Sequence, residues 1–152
     1  MYKIISWMLV VVWMVFIFYL SHQPAVDSNQ LSTNVTEEII EKVEKVRQDN
    51  NWNIPEMNHI VRKYAHFLVY FVLGILVMHA YNSSGFSKRK ATVAAFITCL
   101  GYAISDEFHQ RFIDGRGSQV MDVIIDSGGA IIGIIVWFFL YKIIKRSGRI
   151  PD

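Results

Sequence analysis

Four stretches of this chain are long and apolar enough to enter a bilayer, at about residues 3–20, 62–81, 91–110 and 120–144, and, apart from His79 and Lys142 near the opposite end, the charged and histidine residues inside the last three sit at one end. Crossing the hydrocarbon takes about 20 mainly apolar residues at 1.5 Å rise each, and only helices or closed barrels satisfy every backbone group there. Runs of this length predict an all-α, integral membrane four-helix bundle forming a single domain over residues 1–152. If the helices alternate in direction, three groups meet on one side of the membrane: Arg62, Lys63 and His66; Asp106, Glu107 and His109; Asp122 and Asp126. Intramembrane charge is costly, so such a cluster is a functional hypothesis in itself.

Composition narrows the class. With 53% hydrophobic and 18% charged residues in 152 positions, no large soluble domain fits. The net charge of +2 comes from basic residues at segment ends rather than one stripe, which argues against nucleic acid as a partner. Cys99 is the only cysteine, so an intrachain disulfide or Cys-x-x-Cys pair is excluded, and its mid-span position predicts a small buried core residue. The first stretch, Ile4 to Leu20, follows Lys3 as a secretory signal would, yet it runs into Ser21-His22-Gln23-Pro24 without a small-x-small cleavage site. It reads as a retained span.

The one long connection, Ser21 to Val61, contains Leu31, Val35, Ile39, Val43 and Val46 at three- or four-residue steps, with Glu and Lys between them. This pattern predicts an amphipathic helix with Ser32 or Thr33 as its N-cap. Basic residues in short loops set orientation. Lys88-Arg89-Lys90 follows the second span and Lys142, Lys145, Arg146 and Arg149 close the fourth, so these and both termini are expected in the cytoplasm. The amphipathic helix and the charged cluster then face outward.

Residues three or four apart share a helix face. His59, Arg62, Lys63 and His66 thus form a cationic patch suited to phosphate or carboxylate, against the blander reading that Arg62 and Lys63 snorkel to head groups. Asp106, Glu107, His109 and Gln110 surround the end of the third span. They are hard-to-borderline metal ligands or acid–base groups by type, but the spacing is no recognised zinc signature and no metal site is assigned. Asp122 and Asp126 lie one turn apart, followed on the same face by Gly129 and Gly133, whose small-x-x-x-small step admits a close helix. The acids must be partnered, with Arg62, Lys63, Arg111 and Arg116 as the available cations, and coupling between Arg62 and Asp122 is expected. In the loop 111–118, Gly115 and Gly117 permit unusual backbone angles, and Arg111 and Arg116 can clamp a phosphate.

Four motifs in order resemble the VanZ-like family of small bacterial membrane proteins: Ser21-x-Gln23-Pro24; Arg62-Lys63-x-x-His66-Phe67-x-x-Tyr70-x-x-Leu73-Gly74; Ser105-Asp106-Glu107-x-His109-Gln110 with Gly115-Arg116; and Asp122-Val123-x-x-Asp126-x-x-Gly129. The resemblance covers nearly the whole chain, departing at His22, where a small residue is usual, and at Asp126, where many members have Asn. It implies a cell-envelope protein of the bacterial cytoplasmic membrane, since the family's namesake is associated with reduced teicoplanin susceptibility, but no reaction and no cofactor. Three readings follow. The first is a polar outward site (Arg62, Lys63, His66, Asp106, Glu107, His109, Gln110, Arg116, Asp122, Asp126) binding an anionic membrane lipid or lipid-linked wall precursor. The second is an enzyme on such a lipid, with Asp106, Glu107, His109 and Asp122 as its acid–base groups or metal ligands. The third is a structural charge network without a ligand.

Overall fold

A computed structural model describes residues 2–24, 30, 33, 54–117 and 119–146. Among these the chain forms four helices and no strand: α1 (Tyr2–Ser21), α2 (Ile54–Ser83), α3 (Lys88–Gln110) and α4 (Val120–Arg146). The all-α bundle expected from the apolar runs is therefore present. The amphipathic helix expected from Leu31 to Val46 falls almost wholly outside the described residues; Thr33 alone is placed there, its Oγ1 accepting a 2.7 Å hydrogen bond from Asn58 on α2.

By length and apolarity α1, α2 from Met57, and α4 are able to cross a membrane. The third expected span is weaker. Its uncharged stretch runs only from Ala91 to Ser105, between Lys88-Arg89-Lys90 and the acidic end. What α3 offers instead is a narrow buried stripe of small residues, Ala91, Ala95, Cys99 and Ala103, at four-residue steps. Such a stripe lets backbones approach closely. Cys99 is buried and free, as expected.

The most extensive helix contact is between α2 and α4, and glycines create it. A Cβ added to Gly129 would overlap the carbonyl of Phe67, one on Gly133 that of Phe71, and one on Gly74 that of Ala130. Backbone lies against backbone here, so no side chain larger than hydrogen fits between the helices. Gly129 and Gly133 were legible as a small-residue step; Gly74 supplies the reciprocal gap on α2.

α1 attaches by a stripe, burying Ser6, Val10, Ile17 and Ser21 while Ile4, Met8, Val11, Val12 and Val15 stay exposed. Two of its contacts place a ring donor across the interface: Trp7 Nε1 donates to Ser84 Oγ at 3.0 Å and Trp13 Nε1 to the Val69 carbonyl at 2.8 Å. Large apolar side chains also cover the outer faces of α3 and α4, including Ile97, Ile104, Ile135 and Phe139. In water such a surface would drive association, whereas in hydrocarbon it is already solvated.

At one end of the bundle Trp7 packs edge-on against Tyr81, and the Lys88 ammonium lies 4.9 Å from the centre of the Tyr141 ring. Basic charge at the start of α3 opposes its helix dipole, so Lys88-Arg89-Lys90 is there for its surroundings and not for the helix. The other end gathers Ser21, His66, Asp106, Asp122 and Asp126.

Candidate functional site

The last two turns of α3, the third and fourth turns of α2 and the first two turns of α4 bring their charged residues together. Lys63 Nζ lies 3.8 Å from Asp122 Oδ1, and His66 Nδ1 lies 3.7 Å from Asp126 Oδ1. His66, Asp106 and Asp126, one from each helix, have donor atoms within 4.8 Å of one another. The expected Arg62–Asp122 contact is instead made by Lys63, because the seam rotates α2 so that residues 63 and 66 face 122 and 126.

All of these but Asp106 line a polar cavity of about 160 Å³. Arg62, Lys63 and His66 of α2, Gln110 of α3, Asp122 and Asp126 of α4, and Gly115, Arg116, Gly117 and Gln119 of the intervening loop form its wall. Gly115 takes φ +74, a left-handed angle that turns the loop back toward the helices, and the Arg116 amide donates to the Ile113 carbonyl at 3.1 Å. Arg116 then reaches inward, its guanidinium donating to the Leu20 carbonyl at 3.4 Å, while its Nε is buried without a partner. Burial and the neighbouring Arg62 charge hold its pKa below the usual guanidinium range, with Asp106 and Glu107 acting the other way. Arg111 is exposed and takes no part in the wall.

Asp106 is buried, its Oδ2 accepting from Ser21 Oγ at 2.8 Å and from Gln110 Nε2 at 3.3 Å, so α1 and α3 together fix this carboxylate. Ser21 was visible only within the Ser-x-Gln-Pro motif and was not assigned to the site. Its location at the end of α1, level with Asp106, was the available signal. Glu107, also buried, accepts from the backbone amide of Gln119 and thereby ties α3 to the residue preceding α4. His109 turns away from the cavity toward α1: its Nε2 lies 3.1 Å from His22 Nδ1, and the Phe18 ring stands 4.6 Å from its own. His22 is the residue at which the chain departs from the motif, and it meets His109. Of the ten residues expected to form one site, Arg62, Lys63, His66, Gln110, Arg116, Asp122 and Asp126 line the cavity, Asp106 lies behind them, and Glu107 and His109 serve other contacts.

A polar cavity with cations from two elements and acids from another can hold an anion, exchange protons with it, or present it to a metal. Among the described residues the wall holds no Ser or Cys, and its one lysine, Lys63, is paired with Asp122.

A family model described as VanZ/LLP1 matches residues 6–142, and no curated protein or solved structure matches the chain. The match spans all four helices. The chain belongs to the VanZ/LLP1 family.

Proposed function

We propose that this VanZ/LLP1 membrane protein binds the phosphate of an anionic lipid or lipid-linked wall precursor in the cavity between α2, α4 and the 111–119 loop. The observation that carries the reading is the set of cations at the cavity wall. Arg62, Lys63 and Arg116 come from two elements and converge on 160 Å³ of polar space, at the end of helices whose outer faces are apolar. A head group can enter there while its acyl chains stay in hydrocarbon. Guanidinium groups recognise phosphate bidentately, and partial burial strengthens each contact. Asp122 and Asp126 serve the same site by keeping its empty state nearly neutral and by accepting head-group hydroxyls.

The cavity is read as outward-facing. Lys88-Arg89-Lys90 and the basic end of α4 lie at the opposite end of the bundle and are the positive-inside signal. Together with the association of the family's namesake with teicoplanin, this supports a ligand among the lipids that such antibiotics meet at the outer face of the bacterial cytoplasmic membrane.

Native mass spectrometry of protein purified in mild detergent tests the reading. It should show one phosphate-bearing lipid per chain, lost in a Lys63→Ala/Arg116→Ala variant that remains folded. A lipid-free wild type, or equal retention by the variant, contradicts it.

A further inference from the structure

We propose that His66, Asp106 and Asp126 form a binding site for one divalent transition-metal cation at the floor of the cavity. The three residues come from α2, α3 and α4, and each presents one donor atom within 4.8 Å of the other two. They are far apart in sequence and meet only through the packing of three helices. Neither the seam between α2 and α4 nor the Ala stripe on α3 requires a charged residue at these positions.

The second observation is what these atoms lack. His66 Nδ1, Asp106 Oδ1 and Asp126 Oδ1 are all buried without a hydrogen-bond partner. Asp106 and Asp126 are only 4% and 2% exposed, so bulk water does not supply the missing contacts. The 3.7 Å between His66 Nδ1 and Asp126 Oδ1 is longer than a hydrogen bond, and the hydroxyl of Tyr70, one turn along α2 from His66, is also buried and unpartnered. Asp106 shows the same arrangement from the other side: Ser21 and Gln110 both hold Oδ2, which orients the carboxylate and leaves Oδ1 for a ligand. Metal-binding carboxylates are typically held in this way by a surrounding set of donors.

Charge points the same way. Two buried carboxylates facing one imidazole sum to −1 even when the imidazole is protonated, whereas a divalent ion with neutral imidazole brings the group to zero. One nitrogen and two carboxylate oxygens suit Zn²⁺ or Mn²⁺. Donors about 2.1 Å from one ion lie at most about 4.2 Å apart, so small side-chain rotations close the set. His66 and Asp126 line the cavity, so the remaining coordination positions open toward Arg62, Lys63 and Arg116. An anionic oxygen would complete the ion there. The ion's role therefore rests on the head-group reading, but its binding does not, and the test needs no lipid.

Full-length protein in detergent, stripped with a chelator and titrated with Mn²⁺ under electron paramagnetic resonance, should bind one ion per chain. His66→Ala and Asp106→Asn should each weaken binding by about a hundredfold, and Ser21→Ala, which removes only a carboxylate-orienting contact, by about tenfold. Asp114→Asn, in the exposed loop, should bind as wild type does. Uptake below about a tenth of an equivalent by wild type overturns the proposal even if every variant fails to fold. Undiminished binding by folded His66→Ala and Asp106→Asn overturns it as well. If the ion binds and no lipid is found by native mass spectrometry, the metal site stands and the head-group reading falls.

Discussion

Among the described residues the same two helices, α2 and α4, build the tightest seam and, about one to two turns away, the least satisfied region. At Gly74, Gly129 and Gly133 backbones touch and nothing polar from a side chain intervenes. At Lys63, His66, Asp122 and Asp126 the same pair of helices holds ionisable groups 3.7–3.8 Å apart, with buried oxygens and an imidazole nitrogen left without hydrogen bonds. The first region is optimised for packing, and the second keeps groups that packing does not need. In hydrocarbon the seam gains van der Waals contact at no polar cost, so it can hold the helices together while the charged end keeps room for a ligand. The seam is a scaffold and the charged end is what it positions.

The largest effect that would break this comparison is on the seam. Gly133→Leu must displace the Phe71 carbonyl, and overpacking against backbone should cost about 3 kcal/mol or more, seen as loss of monodisperse protein and a lowered melting temperature. Gly101→Leu, where a Cβ meets nothing within 4 Å, should leave both unchanged. If the two variants behave alike, the seam is not what fixes the helices.

A smaller effect sharpens the other half. A double-mutant cycle between Lys63→Ala and Asp122→Ala should show coupling of about 0.5–1 kcal/mol, since the pair is partly exposed and screened. The cycle between Arg62→Ala and Asp122→Ala should be additive to within about 0.5 kcal/mol. Reversed results would mean that α2 is rotated differently from the arrangement described here.

That rotation marks where the sequence stopped being informative. The apolar runs predicted the helices, the one-ended charges predicted their convergence, and the Gly129–Gly133 step predicted a close neighbour. Which face of each helix meets which partner was not legible. In a soluble bundle an apolar stripe reveals the buried face, but here Ile131, Ile132 and Ile135 on the exposed side of α4 are as apolar as Ile134 and Trp137 on the buried side. Lys63 therefore could not be told from Arg62 as the partner of Asp122. For the same reason nothing in Asp106-Glu107-Phe108-His109-Gln110 distinguished the carboxylate that faces His66 from the one that holds Gln119, or showed that His109 turns to His22. The third helix was overestimated as an apolar span because its ends are charged; its small-residue stripe is the feature that places it.

The central claim, that three helices and a loop deliver their polar groups to one outward-facing anion site, is tested most directly at Gly117. This residue lines the cavity, is exposed, and has nothing within 4 Å of an added Cβ. In a Cys99→Ala background, Gly117→Cys should react with an impermeant maleimide in intact cells. In detergent that reaction should be slowed by dihexanoyl phosphatidate and not by dihexanoyl phosphatidylcholine, while Ser87→Cys at the opposite end should show neither response. Labelling of Gly117→Cys only after permeabilisation, or at a rate indifferent to phosphatidate, would contradict the account.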